Sequence, residues 1–282
     1  MASDFARSDV KVWLDGHLVA EEEARVSVFD HGVTVGDGVF ETIKVVDGTA
    51  FALTRHLSRL GQSADGLGLP KPDQDVARAA VSETLAANAG DDVGRLRITY
   101  TGGVSPLGSE RGVSGPTLIV AVGPASHWPA SAALVTVPWP RNERSAVAGL
   151  KTTSYAENVV ALSWAKERGG GEALYLDTQG RLCEGTGSNL FVVVDGRLIT
   201  PSLTTGCLAG VTRALVMEWS DAEEAELDAS VLDQASEVFL TSTTRDVQPV
   251  HAVDGRTFAA PGPVTAEVQR EFAVRSAADL DP

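Results

Sequence analysis

Lysine is scarce in this chain: five residues, against eighteen arginines. Any chemistry that needs a primary amine therefore has a short list of candidates. Cysteine is scarcer still, with only Cys183 and Cys207, and no CxxC or Cys/His cluster exists. A structural zinc site and a disulfide framework are both excluded as the organising device. The longest apolar runs, FVVV near 191 and TLIVAV near 117, are far too short to cross a bilayer. Positive charge is also lacking: the formal net charge is −15. Such a surface repels nucleic acid and anionic membranes, although a few local donors can still hold a small anion. The opening MASDFARSDV carries no apolar stretch of the secretory kind, so the expected address is cytoplasmic.

What is present is a globular composition. The 282 residues are 43% hydrophobic, enough for one large domain or two modest ones. Asp-Gly pairs between apolar runs predict hairpins at 15–16, 47–48 and 195–196. Further strands are expected at 95–101, 117–122, 133–138 and 237–241, and helices at 54–65, 74–88, 155–167, 211–219 and 264–276. Strand pairs interleaved with helices argue an α+β or mixed α/β protein rather than an orderly parallel array. The Pro, Gly and Ser-rich stretch 123–131 reads as a linker between residues 1–122 and residues 132–282. The closing SAADLDP, small and polar, reads as frayed.

Among the five lysines, four sit in ordinary surroundings. Lys11 lies beside a polar N-terminus, Lys71 between two prolines, and Lys166 next to Glu167 and Arg168. Lys44 alternates with apolar neighbours in a hairpin strand. Lys151 differs, because no charged residue stands within five positions on either side. An amine kept away from charge and water is one that can act as a nucleophile. A snorkelling surface lysine is the bland alternative. Tyr155 falls one turn later, at the start of an expected helix, where its phenol could serve the amine or merely pack.

Residues 184–213 form a second concentration of chemistry. Gly185 and Gly187 follow Glu184 and allow a tight turn close to a ligand. A carboxylate there suits a protonated ring nitrogen, or it is only a solvated turn residue. Gly210-Val211-Thr212 opens a helix whose free N–H groups suit a phosphate. The hydroxyl-rich turn Thr241-Ser242-Thr243-Thr244 could supply further donors. For a fixed positive charge the best candidate is Arg55, at a strand-to-helix junction, with Arg59 as the helix-surface alternative.

At these residues the chain resembles the class-IV aminotransferases, the fold-type IV pyridoxal-phosphate enzymes. The pattern lies in Glu184, Asn189-Leu190-Phe191, Thr200 and Leu208-Ala209-Gly210-Val211-Thr212-Arg213. It extends from about residue 11 to about residue 272 and takes in GDGVFETIKV, TRHLSRL and TSTTRDVQPV. The resemblance implies a small N-terminal α/β domain and a larger C-terminal domain with pyridoxal phosphate between them. It also implies a homodimer in which one subunit closes the other's site. Lys151 would form the Schiff base and move protons, and Glu184 would pair with the pyridine nitrogen. Arg55, Val211, Thr212 and Thr243 would hold the phosphate, and Leu208 would pack on the ring. Tyr155 would contact the ring oxygen, although it follows the lysine by four residues where branched-chain enzymes have five.

The family contains transaminases and a lyase. Thr42 stands where 4-amino-4-deoxychorismate lyases have a threonine and branched-chain enzymes a glycine. The stretches KTTSYAENVVAL and LCEGTGSN resemble actinobacterial proteins described as such lyases. The leading expectation is therefore release of pyruvate and 4-aminobenzoate, a step of folate biosynthesis, with Thr42 beside Lys151 in the chemistry. The alternative is transamination of D-amino acids or (R)-amines, then of branched-chain amino acids. The Arg-x-His clamp of D-amino-acid enzymes is replaced by Leu107-Gly108-Ser109. Phe40, Arg97, Arg111 and Thr244 remain as candidates for substrate contact. A non-catalytic cofactor carrier is the reading from another class.

Overall fold

A computed structural model describes residues 10–90 and 93–282. The chain forms two compact units. The first comprises residues 1–126, 150–155 and 280–282, and the second residues 127–149 and 156–279. Both mix strands with helices.

In the first unit β1 (Lys11–Leu14), β2 (His17–Ala20), β3 (Gly38–Val46), β4 (Thr49–Ala50), β5 (Arg95–Thr101) and β6 (Thr117–Gly123) form one sheet, in the order β2-β1-β6-β5-β3-β4. The helices are α1 (His31–Thr34), α2 (Leu53–Gly66) and α3 (Gln74–Ala87). Asp15 and Gly16, like Asp47 and Gly48, take positive φ. That is the backbone a two-residue hairpin turn of matching twist requires. Alternation along β3 sorts its residues. Val39, Ile43 and Val45 face Leu57, Leu60, Ala64, Ala77, Ala80 and Val81 in the core. Phe40, Thr42 and Lys44 take the other face, opposite Thr99, Arg97 and Arg95 of β5.

Two local features matter for the site. Residues 151–153 lie antiparallel along the start of β3. The N–H of Phe40 donates to the Lys151 carbonyl at 3.0 Å, and that of Thr153 to the Gly38 carbonyl at 2.8 Å. Backbone pairing thus holds the lysine segment within the first unit. The tail, expected to fray, is instead ordered. Ala52 sits in the left-handed region with no side-chain cap on α2, and Asp281 supplies one. Its carboxylate accepts from the Thr54 N–H at 2.8 Å and the Thr54 hydroxyl at 2.6 Å.

The second unit is built on a nine-stranded mixed sheet. Its strands are β7 (Ala132–Thr136), β8 (Glu172–Leu176), β9 (Leu182–Gly185), β10 (Asn189–Val194), β11 (Arg197–Pro201), β12 (Glu223–Ala225), β13 (Glu237–Ser242), β14 (Asp246–Val253) and β15 (Arg256–Thr257). Helices α4 (Ala156–Lys166), α5 (Val211–Trp219) and α6 (Pro263–Ala278) complete it. β10 is buried on both faces, which explains its unbroken apolar run. Leu190 and Val192 join Leu134, Leu174, Val238, Leu240 and Val250, while Phe191 stacks on Phe239 at 4.8 Å. Among the described residues no helix is long and apolar enough to cross a membrane.

Candidate active site

In the first unit the amine of Lys151 rests against aromatic rings. Its Nζ lies 4.4 Å from the centroid of Phe40 and 5.9 Å from that of Tyr155. The two rings meet edge to face at 5.2 Å. Arg97, paired with Thr42 in the β3–β5 register, lays its guanidinium 3.6 Å from the same Phe40 centroid. Desolvation there pulls the Arg97 pKa below its ordinary value. Lys151, Tyr155 and Arg97 therefore gather on Phe40, and strand alternation puts Thr42 on the same sheet face opposite Arg97.

Helix α2 carries a buried charged cluster on the other face of β3. Glu41, fully buried, accepts from Arg59 Nε at 2.8 Å and Nη2 at 2.6 Å, and lies 2.7 Å from His56 Nδ1. Burial pushes the Glu41 carboxyl upward, but Arg59 and His56 overcome it and hold the group down to about 2. Burial lowers the His56 pKa against the pull of Glu41, with the Arg59 and Lys151 cations acting in the same direction as burial. One turn beyond Arg59, the Ser63 hydroxyl accepts the Lys151 N–H at 3.1 Å. His56, Arg59 and Ser63 follow the helical spacing of three and four, so Arg59 lies on the lysine's side of α2. Arg55 points elsewhere: its Nε donates to the Pro282 carbonyl at 2.7 Å. The choice between the two arginines was open to a helical-wheel reading, because 56, 57, 60 and 63 are the buried stripe.

Arg111 has a different occupation from the substrate contact expected of it. Its Nε and Nη2 donate to Asp37 at 2.7 Å each, Nη1 to the Gly68 carbonyl at 2.7 Å and Nη2 to the Leu67 carbonyl at 2.8 Å. These bonds make it a pin for the 103–112 loop.

The second unit holds the remaining residues. Glu184, at the end of β9, is nearly buried. Its Oε2 accepts the Leu208 N–H at 2.9 Å, and its Oε1 lies 3.2 Å from Arg141 Nε, whose N–H is not aimed at it. The Asn189 amide donates to the Leu208 carbonyl at 2.8 Å. A Cβ on Gly210 would come within 2.0 Å of the Asn189 Oδ1, so the close approach requires glycine. Gly210 caps α5 without a side-chain bond, and Val211 and Thr212 are buried in its first turn. Helix N-termini of this kind favour anions. Thr243 and Thr244 occupy the turn between β13 and β14. That turn is braced by Arg245, which donates to Glu172 at 2.7 Å and stacks over Trp128 at 3.6 Å. Glu172 in turn accepts the Thr186 N–H at 3.1 Å, next to Glu184.

Arg141, Glu172, Arg245 and the Glu41–His56 pair escaped the reading of the sequence. Arg141, Glu172, Arg245 and Glu41 are charged residues beside apolar strand segments, and that pattern was the available signal, while His56 falls in the buried stripe of α2. Both cysteines are buried, and burial raises the Cys207 thiol to about 11 and Cys183 further.

Residues 38–253 match the family described as amino-transferase class IV. A putative branched-chain-amino-acid aminotransferase of Methanocaldococcus jannaschii is 34% identical over 275 residues, covering 93% of this chain and 95% of that protein. A D-alanine aminotransferase of Bacillus licheniformis is 30% identical over 276 residues, covering 92% and 95%. Among solved structures, the branched-chain enzyme of Escherichia coli superposes with a TM-score of 0.89 at 27% identity, covering 95% of this chain and 94% of that one. The 4-amino-4-deoxychorismate lyase of Pseudomonas aeruginosa does so with 0.83 at 30% identity, covering 96% and 100%. The match spans well over half of the chain and both units, and the chain belongs to the class IV aminotransferases, pyridoxal-phosphate-dependent enzymes of fold type IV.

Proposed function

We propose that this enzyme is an amino-acid aminotransferase. The observation that carries the reading is the pairing of Lys151 and Arg97 on one Phe40 ring. An amine for covalent exchange and a partly desolvated cation for a carboxylate suit an amino acid better than a bare amine. Names of relatives support the same class, since they include enzymes for branched-chain amino acids and for D-alanine.

The donor set fits pyridoxal phosphate. Lys151 offers the amine, Glu184 a nearly buried carboxylate, and Gly210-Val211-Thr212 a helix start whose N-cap carries no side-chain bond. Thr243 is assigned to the phosphate with it, and Arg59 rather than Arg55 is the arginine we assign there. Leu208 is assigned to the ring face and Thr244 to the substrate. When bound, the cofactor condenses with amines and serves as an electron sink. Lys151 Nζ removes and returns the proton at the substrate Cα. Phe40 and Tyr155 keep water from that amine, and Tyr155 is the candidate for the ring oxygen. Glu184 keeps a proton on the ring nitrogen. Arg97 orients the substrate carboxylate.

A second reading, elimination from 4-amino-4-deoxychorismate, is favoured by Thr42, which stands on the same sheet face as Phe40 and Arg97. It also gains support from likeness to the Pseudomonas lyase. For either reaction we assign a homodimer. Val26, Val28, Phe29, Val33, Val35, Val104 and Leu107 of the first unit are exposed, and the Phe29 carbonyl accepts the Ser105 N–H, which brings the two segments together.

A single experiment separates these readings. Protein loaded with the cofactor is mixed with branched-chain amino acids, D-alanine or aminodeoxychorismate, with and without 2-oxoglutarate. An aminotransferase consumes one equivalent of amino acid and then stops until the oxo acid is added. Many turnovers of aminodeoxychorismate without acceptor would replace our reading with the lyase. Borohydride reduction followed by peptide mapping places the cofactor, and a label on Lys44 or Lys166 would sink the assignment of Lys151.

A further inference from the structure

Arg141 has no role in the scheme above, yet its Nε lies 3.2 Å from the Glu184 Oε1. It is held from several sides. Its N–H donates to the Leu176 carbonyl at 2.7 Å, and its guanidinium stacks 4.1 Å from the Tyr175 centroid. Nη2 donates to Asn158 Oδ1 at 3.0 Å, and Nη1 to Glu157 Oε2 at 3.3 Å. The amide of Asn158 donates onward to the Thr186 carbonyl at 2.7 Å, so the same residue ties Arg141 to the turn after Glu184. A side chain this constrained is held beside Glu184, since a solvated arginine would move through many rotamers.

We propose that Arg141 is a positioning residue for Glu184, sharing the charge of its carboxylate and so setting how tightly protons are held on the bound cofactor. The inference rests on the assignment of Glu184 to the ring nitrogen. A carboxylate whose charge is uncompensated would hold a proton on the ring too firmly. Arg141 Nε, 3.2 Å from Oε1, and the Leu208 N–H on Oε2 draw on that charge.

Other groups facing the pair do not confuse the test. Arg141 is faced by Glu184, Glu157, Tyr175 and Cys183, and Tyr175, Cys183 and Cys207 feel Glu184. Burial lifts Tyr175 to about 12 and Cys207 to about 11, with Cys183 higher, so none titrates between pH 6 and pH 9. The Glu157 side chain is exposed, and salt screens it.

The experiment is a pH titration of the yellow absorbance of the cofactor-loaded protein, in wild type, Arg141→Gln, Arg141→Lys and Glu184→Gln. Loss of the Arg141 charge leaves a more negative surrounding and favours the protonated, yellow form. The Arg141→Gln midpoint should therefore rise, by on the order of one pH unit for a unit charge acting through an effective dielectric constant of about 20. Arg141→Lys retains the charge and should stay within about a third of that shift. An unchanged midpoint in Arg141→Gln, or an equal rise in Arg141→Lys, overturns the proposal. Glu184→Gln serves a different purpose: if it alters neither the band nor its titration, the assignment of Glu184 fails first. Should Arg141→Gln not fold, Asn158→Ala removes a bond that holds the arginine in place. A smaller rise in the same direction is then expected, and no rise overturns the proposal.

Discussion

At the scale of single residues, two arginines one turn apart on α2 have opposite neighbours. Arg59 pairs with buried Glu41 on the lysine's side, and Arg55 bonds the C-terminal segment. Arg59→Lys keeps a charge beside Glu41 but loses the two-pronged geometry that suits a phosphate. We expect cofactor affinity of the stripped protein to fall roughly tenfold in Arg59→Lys, about 1.4 kcal/mol, and less than threefold in Arg55→Gln. Spectroscopic titration with pyridoxal phosphate measures both, and the reverse order would return the phosphate to Arg55. The same cluster predicts acid sensitivity in two stages. His56, whose pKa is lowered from 6.5, stabilises the fold above that value and loses the contribution as pH falls below it. Glu41, lowered from 4.5 to about 2, contributes above about 4.5 and loses it as pH falls toward 2. The second stage is on the order of 3 kcal/mol, from the size of the shift. Urea unfolding at stepped pH should show both stages, and Glu41→Gln should remove the lower one. An unchanged acid profile in that variant would mean the cluster is not coupled to stability.

At the scale of elements, the start of α5 is where backbone and side chain meet most closely. Gly210 has an ordinary φ of −66°, so any residue could adopt its backbone. Space is what forbids one, because a Cβ would lie 2.0 Å from the Asn189 amide oxygen. Gly210→Ala must push Asn189 off the Leu208 carbonyl, at a cost of about 1 to 3 kcal/mol. Leu208 also donates to Glu184, so cofactor affinity should fall with stability. In the double variant Asn189→Ala, Gly210→Ala the clash is gone, and the combined destabilisation should be less than the sum of the two single effects. Thermal melts of the four proteins give the answer, and strict additivity would show that the two residues do not press on each other. Helices α2, α3, α4, α5 and α6 were legible from periodicity, as were the Asp-Gly hairpins, because local backbone preference and burial agree there. The order of the tail was not legible. SAADLDP has the composition of a loose end, and only the uncapped start of α2, more than two hundred residues earlier in the chain, gives Asp281 something to bind.

At the scale of the whole molecule, the formal charge of −15 keeps copies apart, while the first unit exposes a run of large apolar side chains. Association must overcome that repulsion by burying the run. As part of the proposed function, wild-type protein should sediment with twice the chain mass, more firmly at higher salt. Val28 is 72% exposed and Val33 64%, so charged replacements harm neither core. The double variant Val28→Glu, Val33→Glu should shift the mass toward that of one chain while the melting temperature of a monomeric fold is retained. A monomeric wild type, or a variant that stays dimeric, would place the interface elsewhere or abolish it.

The sequence by itself determined the chemistry that this protein can attempt. One uncharged setting among five lysines, the Glu184 to Arg213 pattern and the alternation of β3 all depend on residues near one another in the chain. Local spacing is enough to place an amine, a carboxylate turn and a helix start. Tertiary structure decided which partners those groups have. Arg59 rather than Arg55 on the lysine's side, Arg111 spent on Asp37, and Arg141 set against Glu184 all follow from strand register and helix rotation. These contacts join residues 43 to 88 positions apart in the sequence, and a charged side chain looks alike in one dimension whether it faces water or a buried partner.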